Sequence, residues 1–470
     1  MAYAVLAVGI GMRVVALFTG RVASDGASYA VMADSLWVHG EFIMPLGESW
    51  SDSWTPEYSH HYSPAYPVFL LPFVVLGGLN PWSVKLASLL SGFLLIAGVH
   101  RTTRDLYGQE KGLLVAAAVA VDPMLVLATG TGYSENFLTL FFVLTIWAIL
   151  RSLKDPRYMV LAGFFAGVAY LTKGVMGWFF LIAGLAGLAW RFHYVRWRVF
   201  RDRHYVVAIL IFGSFVVGWA TRNLVRFWDG SASDVLTAWQ SSAYFAITSA
   251  EAVSRPGDLA FVLLARIPLY VLFFLFFGAF WVRDLRRMPK MSDEHYSGLW
   301  LAIGLTYVLA WIISGILWTS ERQPIFWLDM MRYVVMANPV ILWLLVKDAN
   351  VGSVVFRRKY VATVGVLLAA SLIVVVPATP GVYQAYDILQ ANAPEGSVVA
   401  VDGLLRYSLL IGAGSGLIYV KYVPGVAADF IITSDIVKTF PGYTLLGIGR
   451  TTVVVPGFVP ADDAAVWRRG

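Results

Sequence analysis

A dozen apolar segments, each close to the length of a membrane-spanning helix, constrain this chain more than any other feature of its sequence. An α-helix needs about 20 predominantly apolar residues to cross the hydrocarbon core of a bilayer. The segments are residues 3–19, 64–79, 82–100, 112–128, 134–151, 158–173, 174–190, 205–221, 259–281, 297–318, 328–347 and 360–377. The chain is 59% hydrophobic and 14% charged, with a mean hydropathy of +0.69, whereas soluble domains carry about 25% charged residues. A single soluble domain and a disordered chain are therefore excluded, and a polytopic membrane protein is predicted.

Clusters of Lys and Arg between the apolar segments predict how the chain is oriented. Five basic loops alternate with loops that are poor in these residues, and the positive-inside rule places all five in the cytoplasm. The basic loops lie at residues 101–111, 154–157, 191–203, 283–290 and 357–359. The net charge of +6 is thereby assigned to cytoplasmic loops, so membrane lipids and not nucleic acid are the expected partners. The loops predicted to face outward are 129–133, 222–258, 319–327 and 378–470.

The first apolar segments limit the number of crossings. Segment 3–19 has no basic leader, so we interpret it as a retained helix and not as a signal peptide. Only one crossing fits between its outer end and the first basic loop, yet segments 64–79 and 82–100 both lie there. Segment 64–79 is short and contains prolines, so it is predicted to lie at the outer interface or to dip in and return. About eleven transmembrane helices remain, with juxtamembrane helices in a first outer loop over residues 20–80.

The region after residue 380 changes character. Short β-rich runs, separated by Pro and Gly, follow a helix-like stretch at Tyr383–Ala391. The runs are Ser397–Val401, Leu417–Tyr422, Phe430–Thr433 and Thr451–Val455. The predicted architecture is therefore an all-α transmembrane domain over residues 1–380, followed by a small extracytoplasmic α/β domain over 381–470.

An acid and a phenol follow the first apolar segment. If residues 26–38 are helical, Asp25 and Tyr29 lie on one side of that helix at the outer membrane surface. Asp25 either caps the helix or acts as a general base, and the residues alone leave both interpretations open.

Carboxylates and imidazoles cluster further along the first outer loop. Asp52, Glu57, His60 and His61 lie within ten residues, and such side chains can hold a divalent cation. Their spacing matches no helical metal motif, so a polar loop without a metal is the alternative.

An acid and three cations mark outer helix ends. Glu135 opens an otherwise apolar segment, where it also suits the helix dipole. Lys173, Arg222 and Arg332 lie at outer ends of apolar segments and break the positive-inside pattern. Snorkelling to lipid headgroups explains any one of them, but three cations facing acids on the same side indicate a pocket for a phosphate.

The order of these motifs resembles that of the GT-C superfamily of polytopic glycosyltransferases, in particular the branch of protein O-mannosyltransferases and bacterial aminoarabinose transferases. The resemblance covers roughly residues 1–345. The matching stretches are Asp25 with Tyr29, Tyr62-Ser63-Pro64-Ala65-Tyr66-Pro67, Tyr133-Ser134-Glu135, Leu171-Thr172-Lys173-Gly174, Trp219 with Arg222-Asn223, and Arg332-Tyr333 before Pro339. The chain departs from the family pattern at Tyr62 and Ser63, where relatives often carry Lys.

The resemblance implies an integral membrane enzyme with its site on the outer face. Such an enzyme takes a sugar, here a mannose-like hexose or a pentose, from a polyprenyl-phosphate donor. It transfers the sugar with inversion to a hydroxyl of a protein, a lipid or a glycan.

The resemblance also implies roles for individual residues. Asp25 and Glu135 are the expected catalytic acids, with Asp25 as the base. The residues expected to bind the donor phosphate are Lys173, Arg222 and Arg332, and those expected to contact substrate are Tyr29, Tyr62, Tyr66 and Tyr333. Several family members use a divalent cation, for which Asp25, Glu135, His60 and His61 are the candidate ligands.

Other classes of function compete with this interpretation. A lipid-linked glycan flippase or transporter is one alternative, although transporters often contain paired repeats with charges near the midplane, and no internal repeat is visible here. An oligosaccharyl- or phosphoethanolamine-type transferase, or a noncatalytic subunit of a glycan-assembly complex, is another. The chain contains no cysteine, which excludes disulfides and thiolate chemistry.

Overall fold

A computed structural model describes thirteen ranges of the chain. They are residues 1–44, 57–58, 63–152, 154–173, 202–227, 335–347, 349–375, 381–402, 410–411, 415–422, 425–434, 436–450 and 463–470. Within these ranges the α-helices are α1 (Ala2–Thr19), α2 (Ser24–His39), α3 (Ala65–Gly77), α4 (Pro81–Tyr107), α5 (Gln109–Ala120), α6 (Pro123–Thr131), α7 (Glu135–Ser152), α8 (Tyr158–Thr172), α9 (Arg203–Phe227), α10 (Asn338–Lys347), α11 (Val354–Val375) and α12 (Gly381–Asn392). The strands are β1 (Ile43–Met44), β2 (Glu57–Tyr58), β3 (Val398–Asp402), β4 (Ile418–Lys421), β5 (Phe430–Thr433), β6 (Tyr443–Gly449) and β7 (Ala464–Arg469).

Among the described residues, four helices are long and apolar enough to cross a bilayer. They are α1, α4, α7 and the Arg203–Asn223 part of α9, and the bent pair α5 and α6 makes a fifth when it is counted as one span. The chain is therefore a mostly helical membrane protein with a small sheet, as predicted. The count of eleven crossings stays a prediction, because apolar segments 174–190, 259–281 and 297–318 lie outside the described residues.

A break interrupts the apolar segment that the sequence predicted as one helix over 112–128. Helices α5 and α6 meet at an angle of 55°, because Pro123 cannot donate to the preceding turn and begins a new helix instead. The Oδ1 atom of Asp122 accepts hydrogen bonds from the backbone N–H groups of Met124 (3.0 Å) and Leu125 (3.2 Å). Its Oδ2 atom accepts one from Asn338 Nδ2 at 2.7 Å. A buried carboxylate thus accepts from backbone N–H groups that the break leaves without a helical partner.

Helix α3 is too short to cross the bilayer. Its 13 residues span about 20 Å at 1.5 Å per residue, against a hydrocarbon thickness of about 30 Å. Tyr66 and Leu70 are buried, and the ring of Tyr66 meets that of Tyr29 on α2 edge to face at 5.1 Å. This length agrees with the prediction that the segment lies at the outer interface or dips into the membrane and returns, and which of the two applies stays a prediction.

The chain divides into two compact units. The first contains residues 1–11, 91–125 and 135–371, and the second contains residues 12–90, 126–134 and 372–470. The predicted domain boundary at residue 380 stays a prediction.

Glycines set the packing of helices in the first unit. Gly163 and Gly167 lie on one face of α8, and a Cβ atom at either position would collide with α9, at Ala208 and at the ring of Phe215 respectively. Small residues at this spacing let two helices approach closely inside a membrane. The contact fixes the direction of α8, and Lys173 directly follows the end of that helix.

A five-stranded sheet forms the C-terminal part of the second unit. Its strand order is β4-β3-β5-β7-β6, with β3 parallel to β4 and β5, and β7 antiparallel to β5 and β6. The strands predicted at 397–401, 417–422 and 430–433 are confirmed to within one residue, and α12 covers the predicted Tyr383–Ala391 helix. The strand predicted at Thr451–Val455 lies outside the described residues.

The sequence did not predict strands β6 and β7. Gly447 interrupts β6, which ends at Gly449, and two arginines end β7, so neither segment shows the apolar alternation of a strand. Strand β7 pairs with both β5 and β6, and the backbone hydrogen bonds of these pairings stabilise β6 and β7 despite their weak local preference for strand structure.

Candidate active site

A buried ion pair joins the start of α7 to the end of α8. The Nζ atom of Lys173 donates to the Oε1 atom of Glu135 at 2.6 Å. Glu135 is 1% exposed and Lys173 is 8% exposed. The chain folds this way because α7 and α8 run antiparallel across a short turn, which returns the end of α8 to the start of α7.

Local backbone geometry directs both side chains of the pair. Glu135 lies in the first turn of α7, where the helix dipole favours a negative charge. Lys173 is the C-cap residue of α8, and its extended backbone (φ −144°, ψ 113°) turns the chain out of the helix. Asn136, which is fully buried beside Glu135, donates from Nδ2 to the Leu125 carbonyl at 3.1 Å. The acid is thus held on a fixed helix start.

An ion pair of this kind is weak evidence for stability and points to function. Removing two charges from water costs several kcal/mol per ion, and their attraction roughly offsets that cost. Ionisable residues in membrane-embedded segments commonly mark ligand or ion sites. Glu135 can hold the Lys173 ammonium in a fixed position, in a medium of low dielectric constant. An anion that arrives there is strongly attracted to the ammonium.

Asp25 lies in the first turn of α2, in the second compact unit. Ala23 occupies the N-cap position and makes no side-chain cap, so Asp25 is not the N-cap residue. Asp25 is half-buried. Burial raises the pKa of Asp34, further along the same helix, and His39 opposes that rise.

Tyr29 lies one turn after Asp25 and is buried among polar and aromatic groups. Its hydroxyl oxygen is 3.4 Å from Ser134 Oγ, which donates to it. Its ring packs edge-on against Tyr66. The structure thus brings together Tyr29 and Tyr66, two of the four tyrosines predicted to contact substrate.

The linker between α1 and α2 is held from several sides. The N–H group of Ala23 donates to the Thr131 carbonyl at 2.9 Å, and Tyr383 on α12 donates from its hydroxyl to the Val22 carbonyl at 3.2 Å. The guanidinium of Arg21 lies 5.3 Å from the centre of the Tyr383 ring. These contacts fix the backbone that leads into Asp25.

Two buried cations to which the sequence assigned no role stabilise the same region. Arg13 is fully buried and donates from Nη1 to Thr129 Oγ1 at 3.0 Å. Lys85 donates from Nζ to the Leu17 carbonyl at 3.0 Å, near the end of α1, where helix carbonyls lack partners within the helix. Both contacts join residues that are far apart in sequence, so no local pattern could have predicted them.

Arg222 lies near the end of α9 and stacks on an aromatic ring. Its guanidinium carbon is 4.8 Å from the centre of the Trp219 ring, and its Nη1 atom donates to Asn223 Oδ1 at 2.9 Å. A stacked guanidinium keeps its planar fork of donors in one orientation, which suits a phosphate.

Several predicted site residues lie outside the described ranges. They are His60, His61, Tyr62, Arg332 and Tyr333. The described ranges contain no group of three or more His, Asp or Glu side chains that could hold a metal ion. Glu135, one of the predicted ligands, already accepts from the Lys173 ammonium. The described residues therefore do not by themselves make a metal site, and the predicted ligand set stays a prediction.

Comparison with known proteins places the chain in a structural context. Residues 61–219, about a third of the chain, match the family model described as dolichyl-phosphate-mannose-protein mannosyltransferase. No curated protein matches the chain.

Solved structures resemble the chain over most of its length. ArnT from Cupriavidus metallidurans, in a crystal structure bound to undecaprenyl phosphate, matches with a TM-score of 0.56 and 15% identity over 99% of this chain and 97% of that one. The archaeal oligosaccharyltransferase AglB from Archaeoglobus fulgidus, in complex with an inhibitory peptide and a dolichol-phosphate, matches with a TM-score of 0.52 and 14% identity. That match covers 92% of this chain and 69% of AglB.

The resemblance to the GT-C superfamily that the sequence indicated is confirmed. The family model and both solved structures represent GT-C superfamily glycosyltransferases. At these identities the structural matches show the fold alone, which is that of an ArnT-like membrane protein.

Breaking the ion pair from one side should destabilise the protein more than removing it altogether. We expect Lys173→Met to cost about 3–5 kcal/mol, because it leaves a buried carboxylate without its cation. Adding Glu135→Gln to that variant removes the stranded charge and should restore a large part of the loss. Thermal unfolding of the detergent-solubilised single and double variants measures this. Additive effects of the two substitutions would contradict the coupling.

Proposed function

We propose that this chain is a membrane-embedded glycosyltransferase that uses a polyprenyl-phosphate-linked sugar as donor. It transfers a mannose-like hexose or a pentose, with inversion, to a hydroxyl of a protein, lipid or glycan at the extracytoplasmic face. The observation that carries the proposal is the buried Glu135–Lys173 pair, which fixes a cation inside an apolar helix bundle of GT-C type.

The donor supplies the anion for this cation. A lipid-linked sugar phosphate keeps its chain in the bilayer and presents its phosphate at helix ends, where Lys173, Arg222 and Arg332 are assigned to bind it. Lipid phosphates were bound in two of the solved structures with this fold, undecaprenyl phosphate in ArnT and dolichol-phosphate in AglB. Glu135 holds the Lys173 ammonium in place so that it does not have to reorganise during the reaction.

Cations accelerate the transfer because negative charge develops on the leaving phosphate. As the bond from the anomeric carbon to the phosphate oxygen breaks, the bonding electron pair stays on the phosphate and its negative charge grows. Cations fixed in a dry site stabilise that growing charge more than they stabilise the intact donor. Loss of one such contact typically costs roughly 10²–10³ in rate.

Asp25 is assigned as the base that activates the acceptor. Its carboxylate takes the proton of the acceptor hydroxyl while the hydroxyl oxygen forms its bond to the anomeric carbon, opposite the leaving phosphate. Attack from that side inverts the configuration. Tyr29 and Tyr66, together with Tyr62 and Tyr333, are assigned to contact the substrates through ring faces and hydroxyls.

A divalent cation is a further part of the proposal. Its candidate ligands are Asp25, Glu135, His60 and His61. One Archaeoglobus fulgidus oligosaccharyltransferase structure of this fold is a complex with Zn and sulfate.

The first test is transfer itself. Purified protein incubated with a panel of radiolabelled lipid-phosphate sugars should release label to an acceptor from one class of donor. Asp25→Asn should lower turnover by about 10²–10⁴ and leave donor binding intact. Asp34→Asn, on the same helix, is the matched control and should retain turnover. Unchanged turnover in Asp25→Asn would count against the base, and binding without transfer by the parent protein would favour a transporter.

Arg222 should contribute to donor affinity more than to folding. Because a hydrogen bond to a charged group contributes about 1.5–3 kcal/mol, Arg222→Ala should weaken binding of polyprenyl phosphate by about tenfold to a hundredfold. Arg203→Ala, at the other end of α9, removes an exposed cation and is the control. Equal donor affinity in Arg222→Ala and in the parent would refute the assignment.

Chelation tests whether a divalent metal takes part in the reaction. If a divalent metal takes part, excess chelator should reduce transfer, and re-addition of the metal should restore it. Full activity in chelator, with no metal detected in the purified protein, would remove the cation from the proposal.

A further inference from the structure

A buried hydroxyl lies one helical turn after Glu135. Thr139 on α7 is fully buried, and its Oγ1 atom has no hydrogen-bond partner in the part of the chain that the structure describes. Buried polar side-chain atoms nearly always have a partner, because leaving one without a partner costs about 1–3 kcal/mol. An exception of this kind needs a physical reason.

Other helical threonines in the described ranges show that the lack of a partner is not imposed by the helix. A threonine hydroxyl can donate to the carbonyl four residues earlier. Thr145, on the same helix, does so to Phe141 at 2.7 Å, and Thr172 on α8 does so to Val168 at 2.8 Å. Thr139 does not make this bond, although the Glu135 carbonyl holds the equivalent position.

Thr139 lies on the side of α7 that carries Glu135. Residues four apart on a helix lie one above the other on the same side, so Thr139 and Glu135 share a face of α7. The start of α7 lies beside the end of α8, where Lys173 reaches Glu135. A polar ligand that enters beside the pair therefore meets the Thr139 face as well.

We infer that Thr139 is a further donor-binding residue, whose hydroxyl donates a hydrogen bond to the phosphate of the lipid-linked donor. This inference rests on the proposed function, because it takes the phosphate to bind beside Lys173. A hydroxyl is a suitable third contact, since it donates to an anionic oxygen without adding charge to an already charged site.

The assignment explains why the hydroxyl is left without a partner in the ligand-free protein. Groups that are set aside for a ligand reduce the stability of the free protein and are satisfied only on binding. A ligand-binding role for Thr139 can therefore be distinguished from a structural role. Removal of its hydroxyl should weaken ligand binding without lowering the stability of the ligand-free protein.

The experiment compares isosteric variants in the full-length protein. Thr139→Val replaces the hydroxyl by a methyl group, Thr139→Ser keeps the hydroxyl, and Thr145→Val removes a back-bonded hydroxyl from the same helix. The probe is polyprenyl phosphate without a sugar, titrated against purified protein, with Lys173→Met as the reference for the phosphate site. The melting temperature of each ligand-free variant is measured in parallel.

The expected result is a selective loss of affinity. Thr139→Val should bind polyprenyl phosphate about tenfold more weakly, as expected for loss of one hydrogen bond to a charged group. Thr139→Ser should bind within about threefold of the parent, and Thr145→Val should bind like the parent. Ligand-free Thr139→Val should melt at the parent temperature or above it, whereas Thr145→Val should melt at or below it.

Two results would overturn the inference. If Lys173→Met binds the probe weakly but Thr139→Val binds it like the parent, Thr139 is not a contact and the proposed function stands. If Lys173→Met also binds like the parent, the phosphate does not bind at this pair, and both the inference and the proposed phosphate site fail.

Discussion

The Glu135–Lys173 ion pair, 2.6 Å long and almost completely buried, is the interaction on which the proposed function rests. In a chain with only 14% charged residues, two ions removed from water do little for net stability, because desolvation offsets their attraction. In the proposed function, the two ions serve to present a fixed positive charge to the donor phosphate. A cation held inside an apolar bundle attracts an anion far more strongly than the same cation would in water.

Helix packing fixes the backbone segments from which these charged side chains extend. The close contact of α8 with α9 at Gly163 and Gly167 fixes the direction of α8, and Lys173 extends from its end. In the second unit, the α1–α2 linker is held by Thr131 and Tyr383, which constrains the backbone before Asp25. In both units, then, backbone contacts made by neutral groups hold the charged side chains in position.

The fold was predictable where a local pattern decides it. Apolar length predicted the spanning helices α1, α4 and α7, and β-rich runs predicted strands β3, β4 and β5. Apolar length did not reveal the bend within residues 112–128, because the apolar run continues through Asp122 and Pro123, where one helix ends and another begins. Sequence-based prediction missed β6 and β7 for the opposite reason: their strand structure comes from pairing with neighbours and not from their own residues.

The sequence by itself determined the class of protein, the GT-C resemblance, and the unusual presence of charges at the ends of apolar segments. These follow from composition, segment length and motif order, all of which can be read along the chain without knowing which segments contact each other. Only the tertiary structure decided that Lys173 pairs with Glu135, that Lys85 binds the end of α1, and that the Thr139 hydroxyl makes no bond to its own helix. The physical reason is that periodicity specifies which residues share a face of one helix, whereas which faces meet is decided by packing between segments far apart in sequence.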